Sequence, residues 1–431
     1  MKRQINHKLA PKNGAATAGI KANNLLCAGL IVLMMLTQTA CWDKVEVEQL
    51  AIVLAIALDK GEDGNIEVIV QTINPTGLTG GGGGGMGGGG GGGDGPAAYR
   101  NFADQGKTIF EAVRGMSSSI PRELYFSHNQ VIIISEQLAR EGVVDLMDFF
   151  DRNPQIRRNN WVIISSAQTD QSQLLEAANP LEISPAGRIV EIILEQDREP
   201  VYAPTQLGDF LEMLADTGMS AYTAGVDLAL NRAVVPTKTG AEGGQVNPQD
   251  INLSGTAIFD KGRMVGWLGE RETRGLLWVR EGLQGGIYTF GLGGQENNVS
   301  LEIINSSSDM SPTVTAEGDI IFNINIKTEA NVAESRVYVD YSEPENLIRI
   351  EQLLANEIKQ DIEMALETAQ QEHHVDVFGF GGAVYRHYPQ YWKQISDQWY
   401  EILPNVEVVI NVQTEIPRTG LVSKPIRPDV N

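Results

Sequence analysis

Between Gly77 and Gly95 the chain runs through six consecutive glycines, Met86 and seven more glycines. Glycine at this density loses too much backbone entropy on ordering and brings no side chains to bury. A fold must therefore be closed by the segments on either side, with the tract as a flexible loop whose ends lie about 25 Å apart. A phosphate-cradling loop is the sharper reading of so many glycines, and it fails. Gly106-Lys107-Thr108 ends like such a motif, but Asn101 stands where its first glycine belongs and no apolar strand feeds it.

The N-terminus sets a second limit. Five basic residues and no acidic ones (Lys2, Arg3, Lys8, Lys12, Lys21) precede the twelve-residue apolar run Leu25 to Leu36. That run is too short to cross a bilayer as a helix and has the form of a signal-peptide core. Thr39-Ala40-Cys41 then places small residues before a cysteine, in the manner of a lipobox, although Gln38 stands where an aliphatic residue is usual. The expectation is a signal peptide over residues 1–40, with Cys41 as the lipidated first residue of the mature chain. Cys27 and Cys41 are the only cysteines, which excludes a disulfide framework. From Cys41 onward 28 Lys+Arg face 55 Asp+Glu, a formal charge of −27. Such a surface is repelled by phosphate backbones, which excludes nucleic acid as a partner. An anionic leaflet repels it too, so the acyl chains on Cys41 would have to hold it there.

Downstream, the pattern alternates strands and helices. Leu50 to Leu58 and Ile66 to Ile73 read as a hairpin with one buried face, and Gln105 to Ile120 as a helix. Val131 to Ser135 and Trp161 to Ser165 read as strands on either side of an amphipathic helix from Gln137 to Asp151. A short helix follows from Gln171 to Ala178, and Pro180, Pro185, Pro200 and Pro204 punctuate the exit from this region. A helix is expected from Thr205 to Asp216, a loop from Pro236 to Asp250 and a hairpin from Thr256 to Trp267. Strands are expected at Gly286 to Phe290, Val299 to Ile304, Ile320 to Lys327 and Arg336 to Tyr341. A long helix runs from Glu343 to Gln371, with Leu347, Ile350, Leu354, Ile358 and Ile362 on one stripe. Asp376 to Phe380 and Val406 to Val412 are read as closing strands. The resulting class is α/β (α+β), with mixed sheets and packed helices.

Residues able to do chemistry are sparse. His7 leaves with the signal peptide, and His373 and His374 are adjacent at a helix end, where their side chains diverge. With Asp376 and His387 they make a weak metal set, and interaction with the helix dipole is the blander account. Ser117 to Ser119 and Ser306 to Ser308 lack the glycine-flanked elbow of a serine hydrolase. Tryptophan concentrates late: Trp267 and Trp278, then Trp392 and Trp399 beside Tyr388 and Tyr391. Trp392 and Trp399 are seven apart on one helical face with Ile395 between them, a stripe that reads as core.

Several segments together resemble the Ger(x)C family, the lipoprotein C subunits of bacterial spore germinant receptors. They are Cys41-Trp42-Asp43 with Asp59-Lys60, Tyr125 to His128 before VIIISEQLAREG, Gly255 to Phe259, and Val265 to Leu268. Glu272-Thr273-Arg274-Gly275-Leu276-Leu277-Trp278 is the most specific of them, and Pro389, Trp392 and Trp399 before the VEVVINV strand complete the set. The resemblance implies three domains, divided here at 41–204 (carrying the glycine-rich insertion at 77–95), 205–290 and 291–431. It implies no catalysis and no cofactor. It places the protein on the outer face of the inner spore membrane, beside integral-membrane A-type and B-type subunits. Whether the chain contacts a small-molecule germinant is left open. A lipid-anchored solute-binding protein or enzyme is the alternative. Arg271, Glu272 and Arg274 are the candidate partner contacts, because charged residues there alternate with apolar ones. On this reading Arg274→Glu leaves folding intact and weakens association.

Overall fold

The computed structural model describes residues 46–79, 97–177, 182–230, 249–292, 298–336, 341 and 343–418, together with residue 29. Cys41 and the glycine run from residue 80 lie outside the described residues, as do Pro180, most of the expected loop Pro236 to Asp250 and 337–340 of the expected strand Arg336 to Tyr341. By internal contacts the chain forms two units, Met1–Leu50 and Ala51–Asn431. The described part of the first includes a short 3-10 turn, Val47–Gln49.

A ten-stranded mixed sheet dominates the second unit. Its strands are β1 (Leu50–Lys60), β2 (Ile66–Ile73), β3 (Tyr99–Gly106), β4 (Glu123–Tyr125), β5 (Val131–Ser135), β6 (Trp161–Ser165), β7 (Thr205–Gln206), β8 (Tyr222–Leu230), β9 (Gln249–Asp260) and β10 (Arg263–Leu268). The order is β10-β9-β8-β6-β5-β1-β2-β3, with β4 on β1 and β7 on β6. The centre, β1-β5-β6-β8, is parallel. Parallel centres need covering on both faces, and the helices supply it. α1 (Ile109–Gly115), α2 (Glu136–Glu141) and α3 (Val144–Arg152) cover the face carrying Ile56, Leu58, Ile132 and Val162. α4 (Gln171–Leu174) and α5 (Pro185–Leu194) cover the face of Ala55, Ala57, Ile133 and Ile163. α6 (Leu207–Ala215) joins the first group, with Phe210 edge-on to Phe259 at 5.3 Å.

A four-stranded sheet follows: β11 (Ile287–Gly291), β12 (Asn298–Val314), β13 (Ile320–Ser335) and β14 (Glu407–Arg418), in that order. Between the two sheets in sequence lies α7 (Glu270–Arg280). The long helix α8 (Pro344–Leu366) packs against both α7 and β14, then widens into a π-helical segment, Glu367–Glu372. α9 (Phe380–His387), α10 (Pro389–Ile395) and α11 (Trp399–Ile402) lead into β14.

The α/β (α+β) multi-domain class with mixed sheets and packed helices expected from the sequence is what the structure has, with local corrections. The β1–β2 hairpin is present, but Ala55 to Leu58 are buried on both faces because helices cover both. The expected helix from Gln105 begins only at Ile109. Residues through Gly106 pair with β2, and Thr108 caps the helix by accepting the Glu111 N–H at 3.1 Å. The helix expected over Gln137 to Asp151 breaks at Gly142, whose φ of 139° ends α2. Pro185 does not terminate anything: it opens α5 at the first turn behind a Ser184 cap. Asp376 to Phe380 is not a strand but the approach to α9. Trp392 and Trp399 do not share one helix, because Ser396–Gln398 is a 3-10 turn; they meet edge-on at 5.3 Å and both are buried.

The α7–α8 crossing is a tight packing constraint. A Cβ built on Gly275 would lie 2.0 Å from the Asp361 carbonyl oxygen. Neither backbone can yield without parting the helices. Gly275→Ala is therefore expected to lower stability by about 3 kcal/mol or more, read as a shift of the urea midpoint at unchanged slope.

Candidate functional site

The three residues proposed from the sequence as partner contacts all lie on the first turns of α7. Glu272 sits at the third position of the helix and its carboxylate accepts the Gly269 N–H, an N-terminal capping arrangement. Its other oxygen accepts the Thr368 hydroxyl at 2.8 Å. Glu272 therefore ties the start of α7 to the π-helical segment that follows α8.

Arg271 and Arg274 reach the same carboxylate. Asp361, fully buried on α8, accepts Arg271 Nε at 2.6 Å on one oxygen and Arg274 Nε at 2.7 Å on the other. The Tyr288 hydroxyl donates to it at 2.8 Å and itself accepts Trp278 Nε1–H at 2.8 Å. Arg274 also stacks over the Tyr288 ring, 4.2 Å from its centre. Burial, with the neighbouring Asp361 charge adding to it, raises the Tyr288 hydroxyl well above the ordinary phenol range, so it stays a donor. Burial lowers the Arg271 pKa, but the hydrogen bond and charge of Asp361 outweigh that and raise it overall. Arg274 is 19% exposed, whereas Arg271 is 42% exposed and also holds Glu357 at 3.0 Å. Of the two arginines, Arg271 keeps the larger solvent-facing surface.

A second buried carboxylate sits where the sequence suggested a strand. Asp376 accepts the N–H groups of Gly379, Phe380 and Gly381 and the indole N–H of Trp399, at 2.8–3.0 Å. Its backbone is fixed to Ser220, just before β8. Burial pushes its pKa up to about 6 against the pull of those four donors. This cradle was not legible because Asp376-Val377-Phe378-Gly379 gives no periodic signal.

The residues weighed as a weak metal set make separate contacts. His373 packs toward Gly266, His374 Nδ1 lies 3.3 Å from the Gln370 carbonyl, and His387 Nδ1 lies 3.0 Å from that of Ala383. Among the described residues no group of three or more His, Cys, Asp or Glu is arranged to hold a metal. Away from these clusters, a cleft of about 680 Å³ opens between α1 and α3, floored by Ile109, Phe126 and Leu146, with Lys107, Arg114 and Asp145 among its lining. Its volume falls in the range of small-molecule sites.

Two buried carboxylates, Asp361 and Asp376, thus hold helices together in a chain of formal charge −22. Matches to known families cover most of this chain. Residues 43–228 match the spore germination protein N-terminal domain, and residues 254–420 match the spore germination B3/GerAC-like C-terminal domain. The chain belongs to this GerAC-like, or Ger(x)C, family. It is 27% identical to Bacillus subtilis (strain 168) spore germination protein KC over 410 residues, covering 93% of this chain and 97% of that protein. It is 23% identical to spore germination protein B3 of the same organism over 402 residues, covering 92% and 98%. The crystal structure of the GerBC protein superposes with a TM-score of 0.53 at 18% identity, over 84% of this chain and 96% of that one, and so shares the fold.

Two outcomes follow from the carboxylates. Arg274→Glu would set a new carboxylate against buried Asp361, so it is expected to destabilise the fold by about 3–5 kcal/mol. That reverses the expectation that folding would survive it; thermal melting of the variant beside Arg271→Glu, whose side chain is more exposed and should cost less, checks the order. For Asp376, the unfolded carboxyl titrates near about 4, below the folded value. Between those values the folded form holds a proton that the unfolded form has lost, so this group's contribution is fully present below about pH 4 and is lost as pH rises through about 6. Urea midpoints from pH 4 to 7 should show a falling component that Asp376→Asn removes.

Proposed function

We propose that this chain is the lipid-anchored C subunit of a spore germinant receptor, held by Cys41 and acting with integral-membrane A-type and B-type subunits in nutrient-triggered germination. The observation that carries the reading is the order of the two germination-family matches along the chain, the first beginning at residue 43, two residues beyond Cys41. The placement on the outer face of the inner spore membrane rests on the family resemblance, and the lipid anchor on the signal segment and lipobox before Cys41. The charge supports a covalent anchor, since a formal charge of −27 from Cys41 onward opposes adsorption to anionic lipid. Two acyl chains provide stable attachment where a single one is marginal. The role is read as that of a subunit rather than an enzyme: Arg271 and Arg274 of α7 are engaged with Asp361 of α8, and Glu272 with Thr368 just beyond it. Arg271, with its exposed part, is the most accessible of the three proposed contact residues.

The α1–α3 cleft favours a second reading, in which the subunit itself retains a small apolar solute. Equilibrium dialysis of the purified protein against nutrient mixtures separates the two readings, since a pure scaffold retains none.

Cys41→Ala is expected to move the protein from the membrane to the soluble fraction and to abolish co-purification with the A-type and B-type subunits, with the melting curve unchanged. An unmodified Cys41 by intact mass in membrane-bound protein overturns the anchor. Stable membrane attachment without either subunit in the purified material overturns the receptor assignment.

A further inference from the structure

β14 ends the four-stranded sheet, and among the described residues no strand pairs with its outer edge. Its parallel register with β13 is unbroken from Glu407↔Ile321 to Glu415↔Glu329, nine residues without a bulge. That stretch contains no lysine and no proline. Long edges left in this state are templates for further strands, and proteins ordinarily blunt them with those residues or with bulges. Here only the far end is closed: the irregularity in the β13 register falls beyond Glu415, and Glu351 of α8 accepts the Ile416 N–H at 2.9 Å.

The open part runs beside a groove of about 490 Å³ between β14 and the last turns of α8. Three consecutive strand residues, Val408, Val409 and Ile410, line it. Successive side chains point to opposite faces of a strand, so a groove touching all three runs along the backbone edge. The facing wall carries Leu366 with Glu363 and Glu367, and Lys359, which lies 3.7 Å from Glu363, is the cation among the lining residues. Val409 is 36% exposed.

We propose that β14 from Glu407 to Val412 receives an extended segment of a partner polypeptide by strand addition, and that this segment alternates apolar residues with lysine or arginine. Backbone hydrogen bonds to the edge would supply affinity, and the apolar and acidic walls of the groove would select the side chains. A second copy of the chain is the poorer occupant, because it would bring Glu407, Glu415 and a net charge of −22 to an edge already acidic.

The test uses the full chain in detergent and a synthetic octapeptide of alternating valine and lysine. Binding should be saturable and should slow hydrogen exchange across Glu407 to Val412. The double variant Glu363→Lys with Glu367→Lys, both exposed, should weaken it at least tenfold at low salt with an unchanged melting curve. Two further peptides, N-methylated on alternate residues in opposite phase, separate strand addition from charge attraction: one should bind and the other fail. Equal binding by both, no protection of β14, or no binding of any peptide overturns the proposal. Concentration-dependent dimerisation that protects β14 in the absence of peptide overturns it in favour of a second copy.

Discussion

The architecture after the large sheet depends on one buried carboxylate. Asp361 has no exposure, and a lone ionised group in that position would be prohibitively unfavourable. It is tolerated because Arg271, Arg274 and Tyr288 supply three donors to its two oxygens. These partners come from the helix that follows β10 and from the first strand of the small sheet, so satisfying one charge fixes α7, α8 and β11 together. Gly275 lets the helix backbones approach closely enough for the arginines to reach. Replacing the whole cluster by well-packed apolar residues need not cost stability, whereas removing one member leaves the rest uncompensated. The cluster's contribution is therefore to geometry: it selects one crossing of α7 on α8 among those that would bury similar apolar area.

Asp376 does comparable work beyond the C-terminal end of α8, after the π-helical segment. Three successive N–H groups at the start of α9 and the Trp399 indole converge on it, and Ser220 holds its backbone against the approach to β8. The tryptophans read from the sequence as packing residues are thus also donors. Trp278 reaches Asp361 through Tyr288, and Trp399 reaches Asp376 directly. In an aromatic-poor chain, each supplies a large apolar body together with one N–H that a buried acid can use.

Much of this was legible because burial leaves a pattern. The apolar runs at Val131, Trp161 and Ile320 gave strands, and the stripe through Ile350, Leu354, Ile358 and Ile362 gave α8. What escaped were features decided by long-range partners. Asn298–Val314 is one strand of seventeen residues, yet its serine-rich half has no apolar alternation, since only pairing with β13 makes it extended. β8 was missed because Gly225 and Asp227 interrupt its pattern, although its neighbours β6 and β9 hold it on both sides. The charge pairs escaped for the same reason. Arg271 and Asp361 are ninety positions apart, and no local spacing reveals that they meet.

That separation changes the meaning of the most specific motif. Glu272 to Trp278 looked suited to a partner because charged and apolar residues alternate in it, and on a helix such alternation does put charges on more than one face. The structure uses several of those faces internally: Glu272 for the cap and Thr368, Arg274 for Asp361 and the Tyr288 ring, Gly275 for the crossing, and Trp278 for the core. A segment so fully committed constrains its own sequence without any partner. The surface free to vary or to bind lies where side chains keep solvent-facing area, at the exposed part of Arg271, along the groove wall of Glu363 and Glu367, and over the remaining acidic exterior.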